Sequence, residues 1–131
     1  MADHPNVEAT RIALEAFMKG DRESLGSMIA EDAVWHIPGN NRFSGDRRGR
    51  DAIMGRFQEM AEAGFRPTID EIHDIVGGDE HVVALVTLAL ETSEGTTRSR
   101  SVQVYHVAGG QATEFWAYNE HQDEIDAVLG G

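Results

Sequence analysis

Apolar side chains recur at helical spacing in the first part of the chain. They predict a helix over residues 6–19, with Asn6 as its N-cap and Gly20 at its end. The repeating apolar positions of this helix are Val7, Leu14, Phe17 and Met18. Asp21 is placed to cap a second, shorter helix. The apolar face of that second helix is formed by Leu25, Met28 and Ile29.

The next apolar stretch, residues 33–37, is short and predicts the first strand. Pro38 ends it, because proline has no N–H to donate to a strand ladder. Residues 38–49 are rich in Gly, Asn and Ser, so they predict a loop. A third helix follows over residues 51–63, with an aspartate as its N-cap and Gly64 as its C-cap. Its apolar stripe consists of Ile53, Phe57, Met60 and Ala61.

Four long runs of strand-forming residues follow, separated by short segments that contain glycine. Such separators are hairpin signals, so these strands are expected to be antiparallel neighbours. Apolar positions alternate through the second run, and Val102 and Val104 show the same pattern more weakly in the third. A last helix is predicted over residues 120–129. The four runs cover residues 66–76, 81–92, 96–107 and 111–118.

The resulting order is ααβαββββα in a single domain over residues 1–131. Helices followed by a meander of long strands favour the α+β class, with the helices packed on one face of a curled sheet. Long strands with a one-sided apolar pattern curl around a helix and leave a cone between them. The first strand is then one wall of a ligand pocket.

Composition narrows the range of partners. The chain has 11 Lys and Arg against 23 Asp and Glu, a net charge of −12, which argues against nonspecific binding to nucleic acid or to an anionic membrane. Cysteine is absent, which excludes a disulfide scaffold and a thiolate nucleophile. The polar N-terminus shows no signal peptide. We therefore expect a soluble cytoplasmic protein that binds neither nucleic acid nor membrane.

Several short motifs occur in one order along the chain, from Val34-Trp35-His36-Ile37-Pro38-Gly39 to the last helix. The others are Gly45, Arg48-Gly49-Arg50-Asp51-Ala52-Ile53, His73-Asp74, Gly110, Glu114-Phe115-Trp116, Gln122 and Asp126. In this order and spacing the sequence resembles the nuclear transport factor 2-like superfamily, and most closely its SnoaL-like members. That superfamily includes ketosteroid isomerases, limonene-epoxide hydrolases, polyketide cyclases and proteins that only bind.

The resemblance implies a cone-shaped α+β barrel with a small, mostly apolar pocket, commonly in a homodimer. The catalytic residues of these relatives do not occur at the matching positions of this chain. The tyrosine donor and the base of the isomerases fall at Ala13 and Ile37, and an aspartate of the epoxide hydrolases falls at Ala117. Either the site is new or the protein is a binder, since fold alone does not choose a function.

His36 is the first candidate proton carrier, because histidine titrates near neutral pH. Strand alternation allows only one of His36 and Ile37 to face the pocket, and the sequence leaves both choices open. His106, on a later strand, is the second candidate. The alternative for both histidines is a structural one, a packed ring hydrogen-bonded to its surroundings.

Large rings and a few polar groups are the candidates for substrate binding. For the rings the alternative is packing in the core or in a dimer interface. For Glu114, which shares a strand face with Trp116 and Tyr118, it is an ion pair with His106, Arg98 or Arg100. The predicted substrate-binding residues are Trp35, Phe57, Tyr105, Glu114, Phe115, Trp116 and Tyr118.

A run of arginines in the predicted loop and third helix stands out in this acidic chain. It either attracts an anionic ligand, such as a carboxylate, phosphate or acyl thioester, or pairs with the acidic last helix. These arginines are Arg42, Arg47, Arg48, Arg50 and Arg56. No histidine spacing indicates a metal site, and no cofactor is expected.

Three functions fit this sequence. The first is a small cofactor-independent enzyme that acts on a compact hydrophobic molecule bearing a carbonyl or epoxide, by general acid–base chemistry. The second is a protein that binds such a molecule without turnover. The third is a dimer or partner-interaction module. An enzyme requires two convergent polar groups in one enclosed cavity, whereas a module would have a filled cavity and an apolar outer sheet face.

Overall fold

The computed structural model describes residues 3–130, and within them the chain forms four helices and six strands. The predicted α+β class is confirmed, as is the order of the long elements. None of the helices within the described residues is long and apolar enough to span a bilayer. The elements are α1 (Pro5–Lys19), α2 (Arg22–Ser27), β1 (Ile29–Ile37), β2 (Gly45–Arg48), α3 (Arg50–Glu62), β3 (Arg66–Gly77), β4 (His81–Thr92), β5 (Gly95–Ala108), β6 (Gln111–Asn119) and α4 (Gln122–Leu129).

The strands form one curled, unclosed sheet in the order β2-β1-β6-β5-β4-β3. Strands β3 to β6 are antiparallel neighbours, so the hairpins that the glycine-containing separators predicted are confirmed. Strand β1 runs parallel to β6, a pairing that the hairpin signals of the sequence do not predict. No hairpin joins β1 to β6, because β2, α3 and strands β3 to β5 lie between them in the chain. Their relative direction is therefore set by packing rather than by a turn.

The segment after β1 is more ordered than the predicted loop over residues 38–49. It contains the short strand β2, which pairs with β1 so that Trp35 lies opposite Arg47. Strand β2 is largely exposed and carries charged residues, so it has no apolar alternation to mark it in the sequence. The loop before it binds α4, because Asp126 accepts hydrogen bonds from the Asn40 N–H at 3.0 Å and the Asn41 side chain at 2.7 Å.

The boundaries of α1 and α3 lie within one residue of the predictions, but their predicted N-caps are wrong. Asp21 caps α2 and accepts a backbone N–H, as predicted. His4, rather than Asn6, caps α1, since its ring nitrogen accepts the Asn6 N–H at 3.1 Å. Gly49 precedes α3, and Asp51 lies inside the first helical turn. There Asp51 is still favourable, because a negative charge near a helix N-terminus interacts well with the helix dipole.

The second helix is shorter, and the first strand longer, than predicted. Of the three apolar residues assigned to that helix, only Leu25 lies within α2. Met28 follows the helix, and Ile29 begins β1 with 1% of its surface exposed. The pairing of β1 with β6 shifts register between Ile29 and Val34. This irregularity separates the start of β1 from the apolar residues 33–37, which predicted the strand.

The sheet has two distinct faces, and we call the side that packs against α1 and α3 the inner face. Alternating residues of β4, including Val82, Ala84 and Val86, are buried there, as their pattern predicted. Strand β5 differs, because Val102 is 39% exposed and lies on the other side, the outer face. The inner face of β5 is instead formed by Ser99, Ser101, Gln103, Tyr105 and Val107.

The packing of α3 on the sheet provides a test of this fold. Ile53 on α3 is 1% exposed, whereas Ile12 on α1 is 51% exposed. We expect Ile53→Ala to lower the free energy of unfolding by about 2–5 kcal/mol, because it removes buried methyl groups and leaves a cavity. The matched control Ile12→Ala should change it by less than about 0.5 kcal/mol. Urea unfolding of both variants measures the difference, and equal effects would contradict the packing of α3.

Candidate functional site

A cavity of about 170 Å³ lies between the inner face of the sheet and the helices. Four of the predicted substrate-binding residues line it: Trp35, Phe57, Tyr105 and Phe115. Phe115 lies between two of the other rings, with its centroid 4.6 Å from that of Trp35 and 5.1 Å from that of Tyr105. Strand register explains this row, because Trp35 and Tyr105 are the partners of Phe115 on the two strands that flank β6.

A polar pair interrupts the apolar wall on β5. The Tyr105 hydroxyl donates to the side-chain oxygen of Gln103 at 2.7 Å. Both residues are buried, and burial raises the pKa of Tyr105 well above its usual range, so its hydroxyl stays protonated at neutral pH. The bond to Tyr105 orients the Gln103 amide. Since the oxygen of that amide is engaged, its N–H₂ group is left to donate.

Two buried polar atoms of cavity-lining residues have no hydrogen-bond partner within the described part of the chain. One is the indole Nε1 of Trp35, which is a donor only. The other is the side-chain oxygen of Asn119, at the end of β6. A buried donor without an acceptor costs about 1–3 kcal/mol, so the indole N–H favours a bound acceptor.

The positions at which the resemblance implied acid–base residues are apolar and line the cavity. Ala13, Ile37 and Ala117 all contribute to its wall. Among the described residues that line the cavity there is no Asp, Glu, His or Lys. The cavity therefore offers hydrogen-bond donors and one arginine, but no side chain that would take up a proton at neutral pH.

His36 lies on the outer face and Ile37 lines the cavity, which decides between the two choices that the sequence left open. The reason is strand alternation, because Trp35 and Ile37 occupy the inner face on either side of it. The ring is held between two carboxylates, with Nε2 at 2.6 Å from Glu114 and Nδ1 at 2.8 Å from Asp46. The Glu114 hydrogen bond, followed by that of Asp46, raises the pKa of His36. Any catalytic role of His36 stays a prediction.

The other predicted residues absent from the cavity also lie on the outer face. His106 lies beside Glu114, with 3.6 Å between Nδ1 and a carboxylate oxygen, and its Nε2 faces Nε2 of His81. Trp116 stacks on His36 at 5.5 Å between ring centroids, and Tyr118 is 64% exposed. Glu114, Trp116 and Tyr118 alternate with the inner residues of β6, so the three cannot reach the cavity.

Among the lining residues outside the predicted set, Gln103 and Arg56 bear most on the chemistry of the cavity. The sequence did not identify Gln103 as a cavity residue, because a polar residue between two valines is typical of an exposed strand position. Gln103 lies on the same face of β5 as Ser99, Ser101 and Tyr105. This alternation with a predicted cavity residue, Tyr105, could have identified it. Arg56 was counted with the other arginines, but it alone among the five lines the cavity. Nothing in a charge pattern distinguishes one arginine from its neighbours.

The outer-face histidines and carboxylates do not form a metal site. Within residues 3–130, no group of three or more such side chains is arranged to hold a metal ion. The cavity wall offers hydroxyl, amide, indole and guanidinium groups, which suit hydrogen bonding to an organic ligand better than metal ligation.

The fold and the sequence together identify the family. Residues 10–115, which make up most of the chain, match the model of the SnoaL-like domain, so the protein belongs to the SnoaL-like domain family. The predicted resemblance is thereby confirmed. A search of the curated proteins finds no significant match.

Solved structures show how widely this fold is used. An NTF2-like protein from Burkholderia xenovorans LB400 is 22% identical with a TM-score of 0.79, and the match covers 100% of this chain and 99% of that one. An LEH-like epoxide hydrolase from M. tuberculosis is 17% identical with a TM-score of 0.75, covering 95% and 91%. A computationally designed 17-OHP binder is 21% identical with a TM-score of 0.73, covering 88% and 93%. One scaffold thus serves both an enzyme and a binder.

The His36 cluster predicts a pH dependence of stability. The folded pKa of His36 is raised above its unfolded value of about 6.5. The stabilising contribution of His36 is therefore fully present at pH values below its unfolded pKa, as long as the carboxylates stay ionised. It is lost as the pH rises through the folded pKa. We expect the wild type to lose more unfolding free energy than His36→Gln between about pH 6 and about pH 8.

Urea unfolding at both pH values measures this loss, and NMR titration of the ring gives the pKa directly. Glu114→Gln should lower the pKa of His36, because it removes the hydrogen bond that contributes most to the shift. A His36 pKa at or below the unfolded value in the wild type would contradict this account of the cluster.

Proposed function

We propose that this protein binds a compact, largely apolar small molecule that carries a hydrogen-bond-accepting oxygen, such as a carbonyl or an epoxide. One observation carries the proposal: the indole N–H of Trp35 is buried and unpartnered within the described chain, and Trp35 lines an apolar cavity. A bound oxygen atom would satisfy it. The Gln103 amide, oriented by Tyr105, supplies a second donor on the same face of the sheet.

The size of the cavity limits the ligand. Its volume is about 170 Å³. An apolar cavity of roughly 150 Å³ accommodates a molecule the size of benzene. The best-fitting ligand is therefore a single substituted ring or a branched chain of similar bulk. The aromatic rings of Trp35, Phe57 and Phe115 suit such a ligand, because they provide apolar contact area that is already ordered.

Binding is better supported than proton transfer. General acid–base catalysis needs a group that takes up a proton, and the described lining includes neither a carboxylate nor a histidine. The third function, an interaction module, is less supported, because side chains do not fill the cavity. The outer face is mixed, with the charged cluster of His36 and Glu114 beside the exposed ring of Tyr118. The expected homodimer stays a prediction.

A cofactor-independent enzyme is the second candidate, and the Tyr105–Gln103 pair favours it. Donors that converge on a ligand oxygen can stabilise negative charge that develops there during a reaction. The Gln103 amide N–H₂ group fits that role, because the Tyr105 hydroxyl keeps its proton and holds the amide oxygen in place. Such an enzyme would depend on hydrogen-bond donation, with the proton acceptor supplied by the ligand or the solvent. Turnover that falls in Tyr105→Phe while binding is retained would favour this candidate.

The two tryptophans make the binding proposal directly testable, because Trp35 lies at the cavity and Trp116 on the outer face. We expect cyclohexanone to shift the indole N–H signal of Trp35 in the NMR spectrum and to leave that of Trp116 in place. Trp35→Phe keeps an apolar ring but removes the donor. It should weaken cyclohexanone binding roughly three- to tenfold and leave methylcyclohexane binding nearly unchanged.

Trp116→Phe is the matched control and should alter neither affinity. A panel of single-ring ketones and epoxides extends the test beyond one compound. If no member of the panel shifts Trp35, or if all shift Trp116 equally, then the cavity is not the binding site and the proposal fails.

A further inference from the structure

We infer that the ligand of this cavity is an amphipathic acid whose carboxylate pairs with Arg56. This inference rests on the proposed function and names the ligand class more closely. It starts from the run of five arginines, which stands out in a chain of net charge −12. In the structure, these five arginines differ in the groups that they contact.

Two of the arginines are paired with carboxylates. Arg47 contacts Glu59 at 2.8 Å, and the exposed Arg48 lies 3.7 Å from Asp46. Neither lines the cavity. Their charges are already compensated on the surface, so they have little left to offer a ligand.

Two others are held by carbonyl groups and rings. Arg50 donates from Nε to the carbonyl of Ile29 at 2.8 Å. Arg42 donates to the carbonyl of Leu129 at 3.1 Å, and its guanidinium lies 5.0 Å from the ring centre of Phe43. These two side chains fix the ends of β1 and α4, and neither lines the cavity.

Arg56 differs from the other four because it alone lines the cavity. Like Arg42 and Arg50, it has no carboxylate of residues 3–130 within 4.0 Å of its guanidinium. Its one side-chain hydrogen bond within the described chain runs from Nε to the carbonyl of Phe43 at 3.3 Å. A guanidinium has five N–H donors in a fork that matches a carboxylate, so most of its donor capacity is unused.

The charge of Arg56 is costly where it lies, because its side chain is half-buried and lacks a carboxylate partner within residues 3–130. Burial, followed by the nearby positive charge of Arg47, lowers the pKa of Arg56 to about 10. The group is still charged at neutral pH, so a partly desolvated cation lies at the wall of an apolar cavity. The carboxylate of Glu59 compensates the charge of Arg56 only in part, because it is paired with Arg47. A ligand anion would restore the balance of charge.

A single carboxylate fits better than a phosphate. One guanidinium balances one negative charge, whereas a phosphate ester carries roughly −1.5 to −2 at neutral pH. The described lining holds no second cation for the remaining charge. The cavity volume of about 170 Å³ also favours the smaller headgroup on a single-ring body.

The position of Arg56 separates the carboxylate from the donors of the proposed function. Its partner Phe43 belongs to a core cluster with Met60, Leu90 and Leu129, whereas Trp35 and Tyr105 belong to the other cluster. Met60, Leu90 and Leu129 line the cavity as well. A ligand that satisfies both ends is therefore an apolar acid with a second oxygen remote from its carboxylate.

The test compares two ring compounds of equal size, cyclohexanecarboxylate and the neutral cyclohexanecarboxamide, by calorimetry at neutral pH. We expect the wild type to bind the carboxylate at least about tenfold more tightly. Arg56→Gln should abolish this preference while it changes amide binding by less than about twofold. Arg56→Lys keeps a charge without the fork and should retain part of the preference. The matched control Arg48→Gln removes one exposed positive charge and should keep the full preference.

Other results of these experiments would contradict different parts of the inference. Equal binding of the two compounds by the wild type would overturn the carboxylate class and leave the proposed binding function standing. A preference that survives Arg56→Gln would overturn the assignment to Arg56. If neither compound binds and cyclohexanone fails to shift the Trp35 indole signal, the proposed function and this inference fail together. Unfolding by urea shows whether Arg56→Gln is folded, and Arg56→Lys decides the assignment if it is not.

Discussion

The site depends on the alternation of side chains along three adjacent strands. On β1, β6 and β5 the residues Trp35, Phe115 and Tyr105 lie in register and face inward. One position further along the same strands, side chains such as His36 and His106 face outward. A shift of one residue in any strand would exchange the two rows, because the side-chain period of a strand is two. The curled sheet therefore separates an apolar, donor-lined cavity from a charged outer surface.

This separation distributes the chemistry of the protein unevenly. The imidazole groups of His36 and His106 lie outside, where His36 bridges Glu114 and Asp46. The groups that face the cavity keep their protons or their charge at neutral pH, because burial raises the pKa of Tyr105 and that of Arg56 stays at about 10. The inner face is thus suited to recognising oxygen atoms and negative charge. The outer cluster contributes to stability in a way that depends on pH.

Much of the fold was predictable because it is encoded locally. The glycine-containing separators specified the antiparallel meander, and Asp21 marked the start of α2. What failed depended on contacts between distant segments. Strand β2 forms only against β1, and the direction of β1 relative to β6 follows from packing rather than from a turn. The inner face of β5 carries Gln103 and Ser101, so its polar composition concealed its burial.

For the site, the sequence by itself determined the family, and four of the aromatic residues that it proposed line the cavity. Trp116 and Tyr118, from the same set, lie on the outer face. The sequence left His36 and Ile37 as equal candidates, because alternation defines two faces without saying which is inner. Only the tertiary structure decided that, by packing α1 and α3 on one side of the sheet. It also singled out Arg56, because pairing and burial depend on neighbours that lie far apart in the chain.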